Sequence, residues 1–311
     1  MKTSGFALFL TAIAAHGDIL SDFSPFLGSP NPDYDPAHLE PGTAVDHPSY
    51  APFSPADSDF GVQQVLGETP ERAPVNVFFN LDVNYTDNAP AATRALEDGS
   101  FYVSALIGAS WQPLIANGWF ADVGFFQEFY EFDQGDAIDF QNMQPYVGVV
   151  KNLVDLDDTI FFARYEYQRL TTGSISESSY SAQRIRTGLQ KTLFLTSRQQ
   201  LAAGLSAAFD LDANPERLER NEYATELTYT FWLTDALSTT AMWRCAYWDF
   251  DNGGRHDWNN LAGIELNYRI CENATAYTSI YYSDNDSNSP FGVDDFQSWQ
   301  VGLGLGINYS F

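Results

Sequence analysis

From residue 75 to the C-terminus, apolar and polar positions alternate with a period of two, run after run. In the last run Trp299, Val301, Leu303, Leu305, Ile307, Tyr309 and Phe311 share one face, and Gln300, Gly302, Gly304, Gly306, Asn308 and Ser310 share the other. A helix would repeat near 3.6 residues, so this spacing predicts a strand. Upstream, Ala262, Ile264, Leu266, Tyr268 and Ile270 oppose Gly263, Glu265, Asn267 and Arg269, while Tyr223, Leu227, Tyr229, Phe231 and Leu233 oppose Glu226, Thr228 and Thr230. The same division separates Leu201, Ala203, Leu205, Ala207 and Phe209 from Gly204, Ser206 and Asp210, and Phe161, Ala163, Tyr165 and Tyr167 from Arg164, Glu166 and Gln168. At the start of the region Val75, Val77, Phe79, Leu81 and Val83 oppose Asn76, Asn80, Asp82 and Asn84. The run Met143, Pro145, Val147 and Val149 contains a proline, which predicts a bulge or poor local pairing.

The runs amount to about twelve strands, near 75 to 84, 101 to 111, 119 to 132, 140 to 151, 159 to 170, 180 to 193, 199 to 210, 222 to 233, 237 to 249, 259 to 270, 273 to 283 and 297 to 311. Their lengths suit the roughly 9 to 11 residues with which a tilted strand crosses a bilayer core. Short connections (112 to 118, 152 to 158, 196 to 198, 234 to 236, 271 to 272) interleave with longer polar ones (85 to 100, 171 to 179, 212 to 221, 250 to 258, 284 to 296). Short turns on one rim and long loops on the other are the plan of an all-β, transmembrane, antiparallel up-and-down barrel over residues 75 to 311. Starting and ending on the turn rim requires an even strand number. Trp111, Trp119, Tyr167, Trp243, Tyr247, Tyr282 and Trp299 lie toward run ends or on apolar faces, where an interfacial girdle would place amphipathic rings. A soluble sandwich also alternates. In a sandwich, however, the apolar face meets a second sheet, whereas the glycines at 302, 304 and 306 beside Glu226, Glu265 and Arg269 suggest a crowded polar lumen.

The first 74 residues read differently. Lys2, the apolar stretch Gly5 to Ala15, and small residues at Ala12 and Ala14 have the build of a secretory signal peptide over residues 1 to 17. Residues 18 to 74 are rich in Pro, Asp, Ser and Gly and lack apolar periodicity, which predicts a disordered acidic tether. Within it, Ser54 to Gly67 has the capping and stop residues of one helical turn, open to roles as a solvated linker, a docking element or a lumen plug.

Composition narrows the function. The 311 residues hold 41 Asp and Glu against 15 Lys and Arg, a formal charge of −26, which repels a phosphate backbone and argues against nucleic-acid binding. At 15% aromatic residues the chain is too rich in rings to be disordered throughout. No run of 18 or more apolar residues occurs, so a membrane role would use strands.

The C-terminal run ending in Tyr309-Ser310-Phe311, with alternating hydrophobics back to Val301, resembles the terminal strand of bacterial outer-membrane β-barrel proteins. The short turns around Thr234-Asp235-Ala236 and Cys271-Glu272-Asn273, followed by Asp284-Asn285-Asp286-Ser287-Asn288, resemble those of porin-type barrels. The resemblance covers residues 75 to 311 as architecture and carries motif detail over the last seventy or so. It implies outer-membrane lipids as the surroundings. It also implies recognition of Tyr309 and Phe311 by the barrel assembly machinery. The acidic segment before the first strand departs from it.

With this alternation, the lumen would carry Arg164, Arg184, Arg186, Arg244 and Arg269 beside Asp82, Asp122, Glu128, Glu166, Glu226 and Glu265. Charges there need water or partners. Two readings stay open. One is a hydrated, passive, porin-like channel whose charged rows select small polar or charged solutes. The other is an ion-pair network filling a nonconducting barrel whose loops or tether recruit a partner; twelve strands do not decide by size.

No metal or cofactor is expected. The acidic loop at 284 to 288 has Ser289 where a calcium loop of the EF-hand type needs glycine, and reads as a solvated loop. Catalysis is not expected either. Beyond the leader, only His38, His47 and His256 are present, and no Ser and His share a strand face at suitable spacing. Folding the strands about Gly253 leaves Cys245 about ten residues from Cys271 along the sheet, far beyond the roughly 7 Å limit for a disulfide. Free thiols are expected, with Cys245 facing lipid.

Overall fold

A computed structural model describes residues 75–89, 99–116, 118–133, 139–153, 156, 159–172, 178–251, 254–289 and 295–311. The signal peptide, the tether and its capped turn lie outside the described residues. The strands are β1 (Val75–Thr86), β2 (Ser100–Trp111), β3 (Leu114–Ala116), β4 (Trp119–Phe132), β5 (Phe140–Leu153), β6 (Thr159–Thr172) and β7 (Ser178–Thr196), followed by β8 (Gln199–Asn214), β9 (Arg220–Trp232), β10 (Leu237–Phe250), β11 (His256–Cys271), β12 (Ala274–Ser287) and β13 (Phe296–Ser310).

Successive strands pair antiparallel, β13 returns to β1, and β2 pairs with β4, so twelve strands close into a barrel. Closure leaves no open edge among them, which removes the unpaired backbone groups that a sheet edge presents. The seam reaches the last residue: the Val75 amide donates to the Phe311 carbonyl at 3.2 Å and the Phe311 amide to the Val75 carbonyl at 2.9 Å. Short β3 is the extra strand. It continues the β2 ladder along β4 after a break at Gln112-Pro113, where proline has no amide to donate.

The other proline acts as its chemistry dictates. Pro145 keeps its pairing with Phe125 on β4, but toward β6 the ladder lapses between Met143↔Arg169 and Tyr146↔Glu166 and resumes in the same register. This is poor local pairing without a bulge. Some strands run past their expected ends. β8 continues to Asn214, β9 begins at Arg220, and a 3₁₀ turn at Glu216–Leu218 joins them, so the expected loop from 212 to 221 is strand at both ends. Likewise His256 opens β11 and does not sit in the loop.

The two faces are inverted relative to a water-soluble protein. Leu81 on β1 points outward and exposed, as do Val103, Ile107, Leu205, Ile264, Ile280 and Leu303 on other strands. The inward face holds the buried charged residues. Of the expected girdle, Trp111 and Trp299 are outward and exposed, Tyr282 packs on Trp299 with ring centroids 4.7 Å apart, and Lys151 lies 4.8 Å over the Trp119 ring. Trp243 is outward but near the middle of β10, not at a rim.

Candidate functional site

The lumen is divided lengthwise into two unlike halves. Over β4 to β10 it holds a network of ionised side chains, beside a pocket lined by Arg186, Gln190, Gly204, Glu226 and Thr228. Arg164 Nε donates to Asp122 at 2.5 Å, and Gln112 donates to the other oxygen of that carboxylate at 2.8 Å. Arg186 reaches Glu166 at 3.2 Å and Glu222 at 3.0 Å, and Arg244 reaches Glu222 at 2.8 Å and Glu226 at 3.5 Å. Arg184 lies 3.3 Å from Asp210 and donates to Gln168 and the Tyr180 hydroxyl. Glu128 accepts from Asn142 at 2.7 Å. Two-residue periodicity explains the gathering. Arg164 and Glu166, Arg184 and Arg186, and Glu222 and Glu226 each share the inward face of one strand, and the register sets Arg164↔Arg186, Glu166↔Arg184 and Arg244↔Glu226 beside one another. Arg244 has 0% exposure and Arg186 1%, so water does not screen these pairs and partnering is obligatory.

Toward the loop side, aromatic and apolar side chains of the described residues narrow the lumen. Tyr102, Tyr130, Phe140, Leu170, Tyr180, Ala182, Ala213 and Leu218 form an apolar cluster inside the barrel, with Tyr130 stacked on Phe140 at 4.2 Å. Trp248 donates its indole N–H to Glu222 at 2.7 Å, and Arg220 lies 4.1 Å over the Trp248 ring. On the remaining strands Asp257, Ser283, Asn285, Phe296, Ser298 and Thr86 are buried, and the last two pair their hydroxyls at 2.8 Å. At the rim above, burial and then the facing carboxylates of Asp251, Asp210, Glu216 and Asp212 hold the Glu219 carboxyl above its ordinary value.

The second half, over β11, β12, β13 and β1, is different. Here the inward residues Asn76, Asn80, Asp82, Glu265, Asn267, Thr275, Tyr277, Tyr281 and Asn308 stay partly accessible. Gly304 stands between Asp82 on one side and Tyr277 on the other in register, and a Cβ there would overlap both side chains. Gly263 faces Tyr281 in the same way. Missing side chains thus leave room for the neighbouring Asp82, Tyr277 and Tyr281 side chains, as Gly124 does for Tyr146 on β4 and β5.

Of the residues singled out in the sequence, Asp122, Glu128, Arg164, Glu166, Arg184, Arg186, Glu226 and Arg244 come together in the network, and Asp82 and Glu265 sit on the accessible wall. Arg269 joins neither: it is exposed at the turn rim and donates to the Asp235 carbonyl at 2.5 Å. Sequence reasoning missed Glu222, the acid that Arg186, Arg244 and Trp248 share. Its offset of four from Glu226 puts it on the same strand face, a signal that was available. Arg220 and Asp257 fell just outside the expected strand ends. Asp257 accepts from Arg255 Nε at 2.9 Å and from the Ser287 hydroxyl. Cys245 and Cys271 are free thiols, and Cys245 stands opposite Asn260, one residue from its expected partner. His256, the histidine among the described residues, is exposed and shares a hydrogen bond with the Asn288 side chain at 2.9 Å.

No family model and no curated protein matches the chain. Among solved structures, an outer-membrane channel from Pseudomonas putida F1 is similar with a TM-score of 0.55 at 8% identity, over 80% of this chain and 100% of that one. Outer membrane phospholipase A from Escherichia coli is similar with a TM-score of 0.44 at 14% identity, over 80% of this chain and 95% of that one. At these identities likeness speaks to fold and not to activity. The chain shares with that channel the fold of an antiparallel β-barrel, here closed by twelve strands.

Proposed function

We propose that this protein is a porin-type barrel of the bacterial outer membrane that passes small polar solutes along the wall formed by β11, β12, β13 and β1. The observation that carries this reading is the inversion of faces: an apolar belt outside, and inside it a partly accessible wall of amides, hydroxyls and carboxylates. Such an exterior needs lipid, because exposed leucines and isoleucines over a whole sheet face favour leaving water. The ion-pair half then acts as scaffold, and the solute path runs beside it. By the usual orientation of these barrels the turn rim faces the periplasm, residues 18 to 74 form a tether there after loss of residues 1 to 17, and Tyr309 and Phe311 present the assembly signal. No cofactor enters this reading.

The test is liposome swelling. Vesicles carrying the folded full-length chain are expected to swell in isosmotic pentose faster than protein-free vesicles. A second reading, a nonconducting barrel that binds a partner, is favoured by the narrowed loop side. Swelling no faster than the control, from protein shown to be inserted, selects that reading and rejects the passage.

A further inference from the structure

We infer that Asp82 and Glu265, with the tyrosines beside them, make this passage select small cations over anions. The inference rests on the passage proposed above and adds its charge preference.

The arginines of the lumen are spoken for. Arg164, Arg184, Arg186 and Arg244 each lie against carboxylates of the ion-pair half. Arg269 turns to a backbone carbonyl at the rim. Asp82 and Glu265 are the contrast: among the described residues no cation pairs with either. The Tyr281 hydroxyl donates to Glu265, and Asp82 lies beside the Tyr277 ring, both packed against Gly304. The two carboxylates lie on β1 and β11, on either side of β12 and β13. Asp82 and Tyr277 pack over Gly304, and Tyr281 packs over Gly263, where a larger residue would displace them. A solute on this wall therefore meets negative charge that is not paired with a cation among the described residues.

Tyrosine is the fitting partner for that task. Its hydroxyl orients a carboxylate without neutralising it, and its ring face attracts a passing cation. A lysine in its place would cancel the field. The acidic loop rim adds to the effect, since carboxylates crowd around Glu219 there. Low-dielectric walls focus such a field and raise the local counter-ion concentration. The class of solute is small monovalent cations, inorganic or amine.

The experiment is the reversal potential of the full-length chain in a planar bilayer across a potassium chloride gradient. The wild type is expected to prefer potassium over chloride, more strongly at low salt than at high salt. In the Asp82→Asn, Glu265→Gln double variant the permeability ratio is expected to fall about tenfold, toward one. A wild type without preference, or one that prefers chloride, overturns the inference while leaving the passage standing. So does a folded double variant that keeps the preference. The wild-type measurement and its salt dependence decide even if the variant does not fold. Silence from inserted wild-type protein overturns the passage itself, and the inference with it.

Discussion

Replacing Glu222 with alanine is expected to cost the barrel about 3–5 kcal/mol, read as urea unfolding of protein refolded into lipid vesicles. Glu222 is 2% exposed and serves three donors at once: Arg186 at 3.0 Å, Arg244 at 2.8 Å and the Trp248 indole at 2.7 Å. Its removal strands two guanidinium groups in the interior with fewer partners, and the cost is that of buried charge and not of one lost hydrogen bond. Glu222→Gln keeps the shape and some hydrogen bonding, and is expected to fall between the two. Outward-facing, exposed Glu131 supplies the control, because a change at an exposed charge is worth about 0–1 kcal/mol. Equal stability of Glu222→Ala and Glu131→Gln would show that the network does not hold the barrel.

The second large effect is expected on the opposite face. Leu303 lies at the middle of β13, is 66% exposed, and pairs with Val83 and Thr278 on the neighbouring strands. In a bilayer that site falls at the hydrocarbon midplane, where an arginine costs about 2–4 kcal/mol. The same substitution at exposed Gln297, near the loop-side end of the strand, is expected to cost about 0–1 kcal/mol. Around a water-soluble barrel both substitutions would stay within about 0.5 kcal/mol, as surface changes do. Depth dependence in vesicle unfolding thus separates lipid from water as the solvent of this face, and its absence would reject the membrane placement.

The faces and strands of this barrel were legible because a two-residue period is a local signal. Sorting Val77, Leu81 and Val83 from Asn80 and Asp82 needs one strand and no knowledge of its neighbours, and it placed both sets correctly. What one strand does not reveal is depth and partner. Tyr102, Tyr130, Phe140 and Tyr180 alternate with apolar outward positions just as lumenal residues should, but that they meet as one cluster depends on register across strands β2 to β7. The same limit explains the candidate site. Arg184 and Asp82 both read as inward, yet the first is buried against Asp210 and the second lies on the accessible wall. Glycine carried part of that information: the three alternating glycines of β13 make room for Asn80, Asp82, Asn84 and Tyr277 from the neighbouring strands. The ends were least legible, since β8 runs on along β7 to Ser181↔Asn214 and β9 begins at Arg220 opposite Phe250 on β10, past the expected ends.

The most direct test of the solute path places a thiol on the accessible wall. Asn80 faces inward on β1, between Gly306 on β13 and Leu106 on β2. In a chain with Cys245 and Cys271 replaced by serine, Asn80→Cys is expected to give discrete single-channel steps. Their current should fall stepwise when a positively charged methanethiosulfonate reagent is added. Unchanged steps, with the thiol shown by mass to be modified, would contradict the claim that solutes travel along this wall.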